Sequence, residues 1–154
     1  MISGSSTFIH VGQIHVDKGP AAISTVLGSC VAVCLYDRRL AIGGMNHYLL
    51  PFWNGNGLQT PKFGNISIPK LIENMLEMGA NINTMEAKIF GGASMNIIKS
   101  ECMMIGEKNI LVAKEILDEY RINIMASDLG GRNGRKIQLN LETGKVLMKY
   151  TSSN

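Results

Sequence analysis

The segment Ser24-Thr25-Val26-Leu27-Gly28-Ser29-Cys30-Val31-Ala32-Val33-Cys34-Leu35-Tyr36-Asp37 decides the fold of this chain. It places a cysteine directly after a Gly-Ser turn, at the start of an apolar run that is rich in β-branched residues. Such a run is typical of a buried β-strand. The segment Asp37-Arg38-Arg39-Leu40, with three charged residues, ends the run, and a second strand-like stretch follows at 41–50. The pattern therefore predicts a β-hairpin with a thiol at the start of its first strand.

The register of this hairpin decides whether Cys30 meets His47. If Asp37 pairs with Leu40 across a two-residue turn, Cys30 lies directly opposite His47. Directly opposed residues have Cβ atoms about 4.5–5.5 Å apart, so the imidazole could reach the thiol. A longer loop, or a bulge at Gly43-Gly44, would break this pairing.

A cysteine beside a histidine is the arrangement that nucleophilic catalysis by a thiol requires. A thiol with a pKa of about 8.5 is mostly protonated at neutral pH, and an adjacent imidazole can remove its proton. A third group usually fixes the imidazole by accepting its other N–H, and the hydroxyl of Thr25 or Ser24 could supply that oxygen. Backbone N–H groups around Ser29 and Cys30 could stabilise an oxyanion.

Other interpretations of these residues stay open at this point. A free cysteine is often a small buried hydrophobe, and this interpretation suits Cys34 and Cys102 better than a catalytic one. A lone histidine such as His47 is also more often structural than catalytic. A metal site built from Cys30, Cys34 and a histidine lacks the second ligand pair that zinc sites normally show.

Two helices and a second hairpin are predicted in the rest of the chain. The first helix is expected to be capped by Ser67 and to end at Gly79. The second is expected to begin after Asn109, a favourable N-cap residue. Alternating apolar residues at 137–150 predict a hairpin that turns at Glu142-Thr143-Gly144. Strands dominate without a regular βαβ repeat, which favours an α+β domain whose largely antiparallel or mixed sheets are flanked by helices.

Composition and charge exclude several classes of protein. The 154 residues, 45% of them hydrophobic, suit one domain with a sizeable core. A net charge of +3, with scattered lysines and arginines, does not fit a nucleic-acid-binding surface. No stretch approaches the roughly 20 apolar residues of a membrane span, and the first residues lack the pattern of a signal peptide. Three cysteines do not suggest a disulfide framework, so a reducing cytoplasm is expected.

Several blocks of sequence, taken together and in order, resemble the chemoreceptor glutamine deamidase family, CheD. Two blocks contain Leu27-Gly28-Ser29-Cys30 and Met45-Asn46-His47-Tyr48. The full set comprises residues 27–37, 43–51, 86–93, 105–109, 128–131 and 134–136, and it extends over most of the chain. A series of long blocks in family order is far more specific than any one motif.

The resemblance implies an α/β sandwich in which sheets pack together and against helices, formed by residues 1–154 as a single domain. It also implies a Cys-His-Thr site, with Cys30 as the nucleophile and His47 as the general base. In the family a threonine precedes the cysteine by five or six positions, which gives Thr25 as the third member and Ser24 as its alternative. The resemblance implies no cofactor and no metal ion.

The implied reaction is hydrolysis of a protein glutamine side chain to glutamate, through a thioester and with release of ammonia. The implied substrate is the helical methylation region of chemoreceptors in the cytoplasm, and the CheC phosphatase is an implied partner. Neither nucleic-acid binding nor membrane insertion is implied. Two alternatives stay open: a non-catalytic adaptor that binds chemoreceptors or CheC, and a cysteine hydrolase of a different amide.

Overall fold

Strands make up most of the architecture in the computed structural model, which describes residues 4–94 and 104–151. The two helices are α1 (Gly64–Glu77) and α2 (Met104–Glu119), and a 3₁₀ turn covers Ile82–Thr84. The strands are β1 (Ser5–Phe8), β2 (Ile14–Lys18), β3 (Ala21–Leu27), β4 (Val31–Asp37), β5 (Ile42–Asn46), β6 (Met85–Gly91), β7 (Asn123–Leu129), β8 (Arg135–Asn140) and β9 (Val146–Tyr150). No helix in these described ranges is long and apolar enough to cross a membrane.

The strands form two mixed sheets. One has four strands in the order β1-β3-β8-β9, and the other has five in the order β2-β5-β4-β6-β7. The pairs β1–β3 and β6–β7 are parallel, and the remaining pairs are antiparallel. The predicted α+β class with mixed sheets is confirmed, as is the second hairpin, formed by β8 and β9.

Strand β4 lies at the centre of a three-layer arrangement. All seven of its residues are buried, because each of its faces packs against a different layer. Val31, Val33 and Leu35 pack into a core shared with α1 and α2. Ala32 and Cys34 pack into a second core shared with the four-stranded sheet. The order of layers is therefore four-stranded sheet, five-stranded sheet and helices, which is the predicted sandwich.

The hairpin of β4 and β5 forms as predicted, but its register differs. Asp37 pairs with Ile42 rather than with Leu40, so the loop contains four residues. A two-residue primed turn needs positive φ at both central residues, which an Arg-Arg pair does not favour. The longer loop instead places the positive φ at Ala41. The prediction that Cys30 lies directly opposite His47 is therefore wrong.

Both predicted helix starts are also wrong. Helix α1 begins three residues before Ser67, and its N-cap residue, Phe63, makes no side-chain capping bond. Helix α2 begins at Met104, which places Asn109 well inside the helix. Both polar side chains are fully buried, so tertiary packing uses them within the helices rather than at the caps. The predicted end of α1 is correct, since Gly79 follows it with a φ of 104°.

A glycine loop after β6 holds the turn that carries Cys30. The N–H of Gly92 donates to the Cys30 carbonyl at 2.9 Å, and the N–H of Ala93 donates to the Gly28 carbonyl at 3.0 Å. Gly91 has a φ of 110°, and a Cβ atom there would overlap the Cys30 carbonyl. The backbone of the loop can approach this turn so closely because Gly91 has no side chain.

We expect Gly91→Ala to destabilise the protein much more than Gly79→Ala does. Both glycines have positive φ, so alanine at either site costs about 1–2 kcal/mol in backbone strain. At Gly79 an added Cβ meets nothing within 4 Å, whereas at Gly91 it overlaps backbone. Overpacking of this kind raises the cost at Gly91 to about 2–5 kcal/mol. Urea unfolding of both variants measures the difference, and equal losses would contradict this account.

Candidate active site

A hydrogen bond between the two sheets organises the candidate site. Thr25 lies on β3 of the four-stranded sheet, and His47 directly follows β5 of the five-stranded sheet. Thr25 Oγ1 and His47 Nδ1 are 2.7 Å apart, and both side chains are buried. Thr25 Oγ1 also donates to the backbone carbonyl of Ile9 at 2.8 Å. The imidazole is thus held between the two sheets, close to the segment that follows β1.

These two contacts determine the tautomer of His47. The Thr25 hydroxyl has one proton, and the Ile9 carbonyl can only accept, so this proton belongs to the bond with Ile9. Thr25 Oγ1 must therefore accept the Nδ1–H of His47. The lone pair of the neutral imidazole is then on Nε2. The arrangement presents His47 as a base at Nε2, with its orientation fixed from the other side of the ring.

Cys30 and His47 lie on the same side of the five-stranded sheet, although they are not directly opposed. Val31 and Tyr48 form the bridging pair, with backbone bonds of 3.2 and 3.0 Å in the two directions. This register places His47 diagonally across from Cys30, at about 7–8 Å between Cα atoms. Cys30 packs against the core between the sheets, which the His47 imidazole also faces. Within the described residues, no hydrogen bond joins the thiol to His47.

Burial keeps both the Cys30 thiol and the His47 imidazole neutral. It lowers the pKa of His47 to about 4, with a smaller contribution from the nearby His10. Burial likewise raises the pKa of the Cys30 thiol above its ordinary value, against a smaller opposing effect of the Cys30 backbone N–H. At neutral pH the site thus contains a thiol and an uncharged imidazole rather than a thiolate–imidazolium pair. Any attack by the Cys30 thiol would therefore have to be accompanied by transfer of its proton.

Ser24, the alternative third member, points away from His47. Side chains alternate along a strand, so Ser24 and Thr25 project to opposite faces of the four-stranded sheet. Ser24 lines a surface pocket with Ser6, Phe8 and Gln138 on the outer face. In this structure only Thr25, of the two candidates, contacts the imidazole.

The other cysteines and the metal hypothesis are separate from this cluster. Cys34 is buried, and desolvation raises the pKa of its thiol to about 12, so it is a core residue. Cys30 directly precedes β4 and Cys34 lies within it, four residues further along the extended chain and so about 13 Å away, which is too far to share an ion. Among the described residues, no group of three or more potential metal ligands comes together. Cys102 lies outside the described residues.

The role of Asn109 was not predicted from the sequence. The sequence predicted a cap, yet the structure places the residue inside α2 with its carboxamide against the turn that carries Cys30. The signal was the helical spacing of Asn109 with Ala113 and Leu117, both fully buried. A polar residue on a buried helix face needs partners elsewhere in the fold.

Comparison with known proteins identifies similar chains. A family model described as CheD chemotactic sensory transduction matches residues 49–150. A Sulfurimonas denitrificans protein named probable chemoreceptor glutamine deamidase CheD is 56% identical, and the match covers 93% of this chain and 92% of that protein. A Trichlorobacter lovleyi protein of the same name is 52% identical, with 92% and 88% covered.

Two more distant proteins are also similar. A Thermotoga maritima protein named chemoreceptor glutamine deamidase CheD is 39% identical, and the match covers 92% of this chain and 89% of that protein. A solved structure from Neisseria meningitidis, described by the family model DUF152, is 11% identical with a TM-score of 0.48. That alignment covers 90% of this chain and 64% of the other.

We expect His47 to make the stability of the protein dependent on pH below about 6.5. The folded state keeps the imidazole neutral down to its pKa of about 4, whereas the unfolded chain takes up a proton near pH 6.5. The contribution of His47 to the free energy of unfolding is therefore fully present above about pH 6.5. It falls by up to about 3 kcal/mol as the pH decreases to 4.

Urea unfolding between pH 7 and pH 4 measures this contribution in the parent protein and in His47→Gln. The variant should lose less stability over this range, because it lacks the titrating group. The difference between the two curves at each pH isolates the contribution of His47 from that of the other titrating groups, which both proteins share. Parallel curves for the parent and His47→Gln would refute the expectation.

Proposed function

This chain belongs to the CheD family, and we propose that it is a deamidase that hydrolyses glutamine side chains of chemoreceptors to glutamate. Two kinds of observation support the proposal. Two curated relatives that match more than nine-tenths of this chain are named probable chemoreceptor glutamine deamidases. The main structural support is the Thr25–His47 hydrogen bond between the two sheets, on the side that Cys30 faces.

Each of the three residues has a distinct role in the proposed site. Cys30 is the nucleophile, and it is partly buried in a turn at the edge of the core between the sheets. His47 is the general base, acting through Nε2. Thr25 holds the Nδ1–H of His47 and does not exchange protons with the substrate. The depressed pKa of His47 keeps the base unprotonated at every pH above about 4.

The first half of the reaction forms a thioester. The thiol proton of Cys30 moves to His47 Nε2 while the sulfur bonds to the carboxamide carbon of glutamine. The carbonyl oxygen becomes an oxyanion, for which the backbone N–H of Cys30 is the nearest candidate donor. His47 then transfers the proton to the departing nitrogen, the C–N bond breaks and ammonia leaves.

The second half of the reaction restores the enzyme. Water attacks the thioester carbon and gives a proton to His47 Nε2. The C–S bond breaks, the product carries a glutamate carboxyl group, and Cys30 recovers its proton from His47. The net change is one water consumed and one ammonia released, so the reaction needs neither an oxidant nor a metal ion.

The proposed substrate is the glutamine-bearing helical region of chemoreceptors, which lies in the cytoplasm. Deamidation there replaces a neutral amide with a carboxylate, which changes the charge of the receptor helices. The CheC phosphatase is the proposed protein partner. Family membership supports both partners, and the net charge of +3 is compatible with a substrate that becomes more acidic.

We expect the parent protein to convert receptor glutamines to glutamates and Cys30→Ala to convert none. The measurement is peptide mass spectrometry of a chemoreceptor cytoplasmic fragment after incubation, since each conversion adds about 1 Da. Cys34→Ala is the matched control, because Cys34 is buried in the core and has no role in the reaction. Binding of the fragment without conversion by the parent would favour the adaptor alternative. Activity on free glutamine alone would favour a different amide hydrolase.

Thr25→Val should lower kcat/KM about 10- to 100-fold, whereas Thr25→Ser should retain most of the activity. Valine has nearly the same shape but cannot accept the Nδ1–H, so the imidazole loses the contact that fixes its tautomer. Ser24→Ala is the neighbouring control and should be unchanged, because Ser24 lines the outer face. Initial rates of ammonia release measure all three variants. If Ser24→Ala lost activity while Thr25→Val kept it, Ser24 rather than Thr25 would be the third member of the site.

A further inference from the structure

Asn109 is a fully buried polar residue within helix α2. Its Nδ2 group donates to two backbone carbonyls, that of Ser29 at 3.1 Å and that of Leu49 at 3.0 Å. Both partners can only accept, so the orientation of the carboxamide is fixed by its contacts. Asparagine is less favourable than leucine or alanine inside a helix, so this residue is used for its two donors.

The two carbonyls belong to the segments that carry the proposed nucleophile and base. The Ser29 carbonyl is part of the peptide group whose N–H belongs to Cys30. The Leu49 carbonyl lies two residues after His47. One side chain from the helix layer thus connects the Cys30 turn to the His47 segment on the other strand of the hairpin.

The backbone ladder of the hairpin does not make this connection. The Val31–Tyr48 pair is the last bridge between the two strands on this side. Beyond it, the N–H groups of Leu49 and Leu50 both donate to the Lys62 carbonyl, so the second strand turns towards another segment. The strands diverge where Cys30 lies, and Asn109 spans the gap between them.

The bond to the Ser29 carbonyl also sets the direction of the Cys30 N–H. In a planar trans peptide the C=O and N–H groups point in opposite directions. Because the Ser29 carbonyl points towards Asn109, the N–H of Cys30 in the same peptide group points away from Asn109. This N–H lowers the pKa of the Cys30 thiol, which agrees with a position of the N–H beside the sulfur. An N–H beside the attacking sulfur is where an oxyanion donor is needed.

We propose that Asn109 is a positioning residue of the deamidase. Its carboxamide holds the Ser29–Cys30 peptide so that the Cys30 N–H faces the oxyanion, and it keeps the Leu49 segment, and with it His47, in reach of the thiol. This proposal rests on the proposed function of Cys30 and His47. Asn109 touches neither substrate nor reacting atoms, and it acts only through the two backbone carbonyls.

The test replaces the two donors and compares the result with a variant that weakens the same helix elsewhere. Asn109→Leu removes both donors without adding a charge, and Asn109→Asp replaces the two N–H donors, with little change of shape, by a carboxyl group that can donate at most one hydrogen bond. Val112→Ala is the control, because Val112 is a buried residue of α2 outside the contacts described above. All variants are measured at a temperature at which each is fully folded, as judged by its urea-unfolding curve.

We expect both Asn109 variants to lose about 100-fold in kcat with KM changed less than about threefold, as for the loss of an oxyanion donor. Val112→Ala should keep the parent kcat. Ammonia release from a receptor fragment gives both constants. Equal kcat values in the Asn109 variants and Val112→Ala would overturn the proposal, since the residue would then be only structural. If Asn109→Leu does not fold, Asn109→Asp gives the decision.

Alkylation of Cys30 by iodoacetamide is a second readout that needs no substrate. Loss of the N–H beside the sulfur raises the pKa of the thiol, so alkylation at pH 8 should slow at least threefold in Asn109→Leu and not in Val112→Ala. Peptide mapping separates Cys30 from Cys34 and Cys102. If the parent protein deamidates nothing, the proposed function fails, while this alkylation contrast still tests Asn109. Unchanged alkylation together with unchanged kcat would reject the positioning role.

Discussion

Burial of strand β4 on both faces is the constraint on which this structure depends. A strand with no exposed face must have a layer on each side, and the chain supplies helices on one and a second sheet on the other. Polar groups that face the second sheet then have no access to water and must form hydrogen bonds with groups of that sheet. The Thr25–His47 bond meets this requirement, and the site is therefore built from both sheets rather than from one hairpin.

The same burial determines the chemical state of the site. Desolvation disfavours the charged form of each group, so it lowers the pKa of His47 and raises that of Cys30. A free pair of this kind reacts slowly with general electrophiles, because the thiolate population is small. In the proposed mechanism, the substrate supplies a group whose developing negative charge is stabilised by fixed donors. In the proposed mechanism, selectivity for a bound carboxamide follows because both groups stay neutral until the substrate arrives.

Sequence patterns predicted the strands better than the register in which they pair. The apolar run before Asp37 and the alternation in β8 and β9 predicted strands and hairpins correctly, since burial imposes these patterns directly. The register depended on the conformation of a four-residue loop, which the positive φ of Ala41 determines and no pattern reveals. Thr25 and Ser24 could not be separated by sequence, because their difference is the sheet face on which each lies.

Asn109 shows why polar residues in helical segments are difficult to interpret from sequence. Asparagine is common at N-caps because its side chain satisfies nearby backbone groups. The same ability serves backbone groups that are distant in sequence when the residue is buried inside a helix, as the bonds to Ser29 and Leu49 show. Propensity describes local partners only, whereas these partners are 80 and 60 residues away. A polar residue aligned with a buried helix face therefore indicates a long-range contact, and here that contact is with the segments that carry the site.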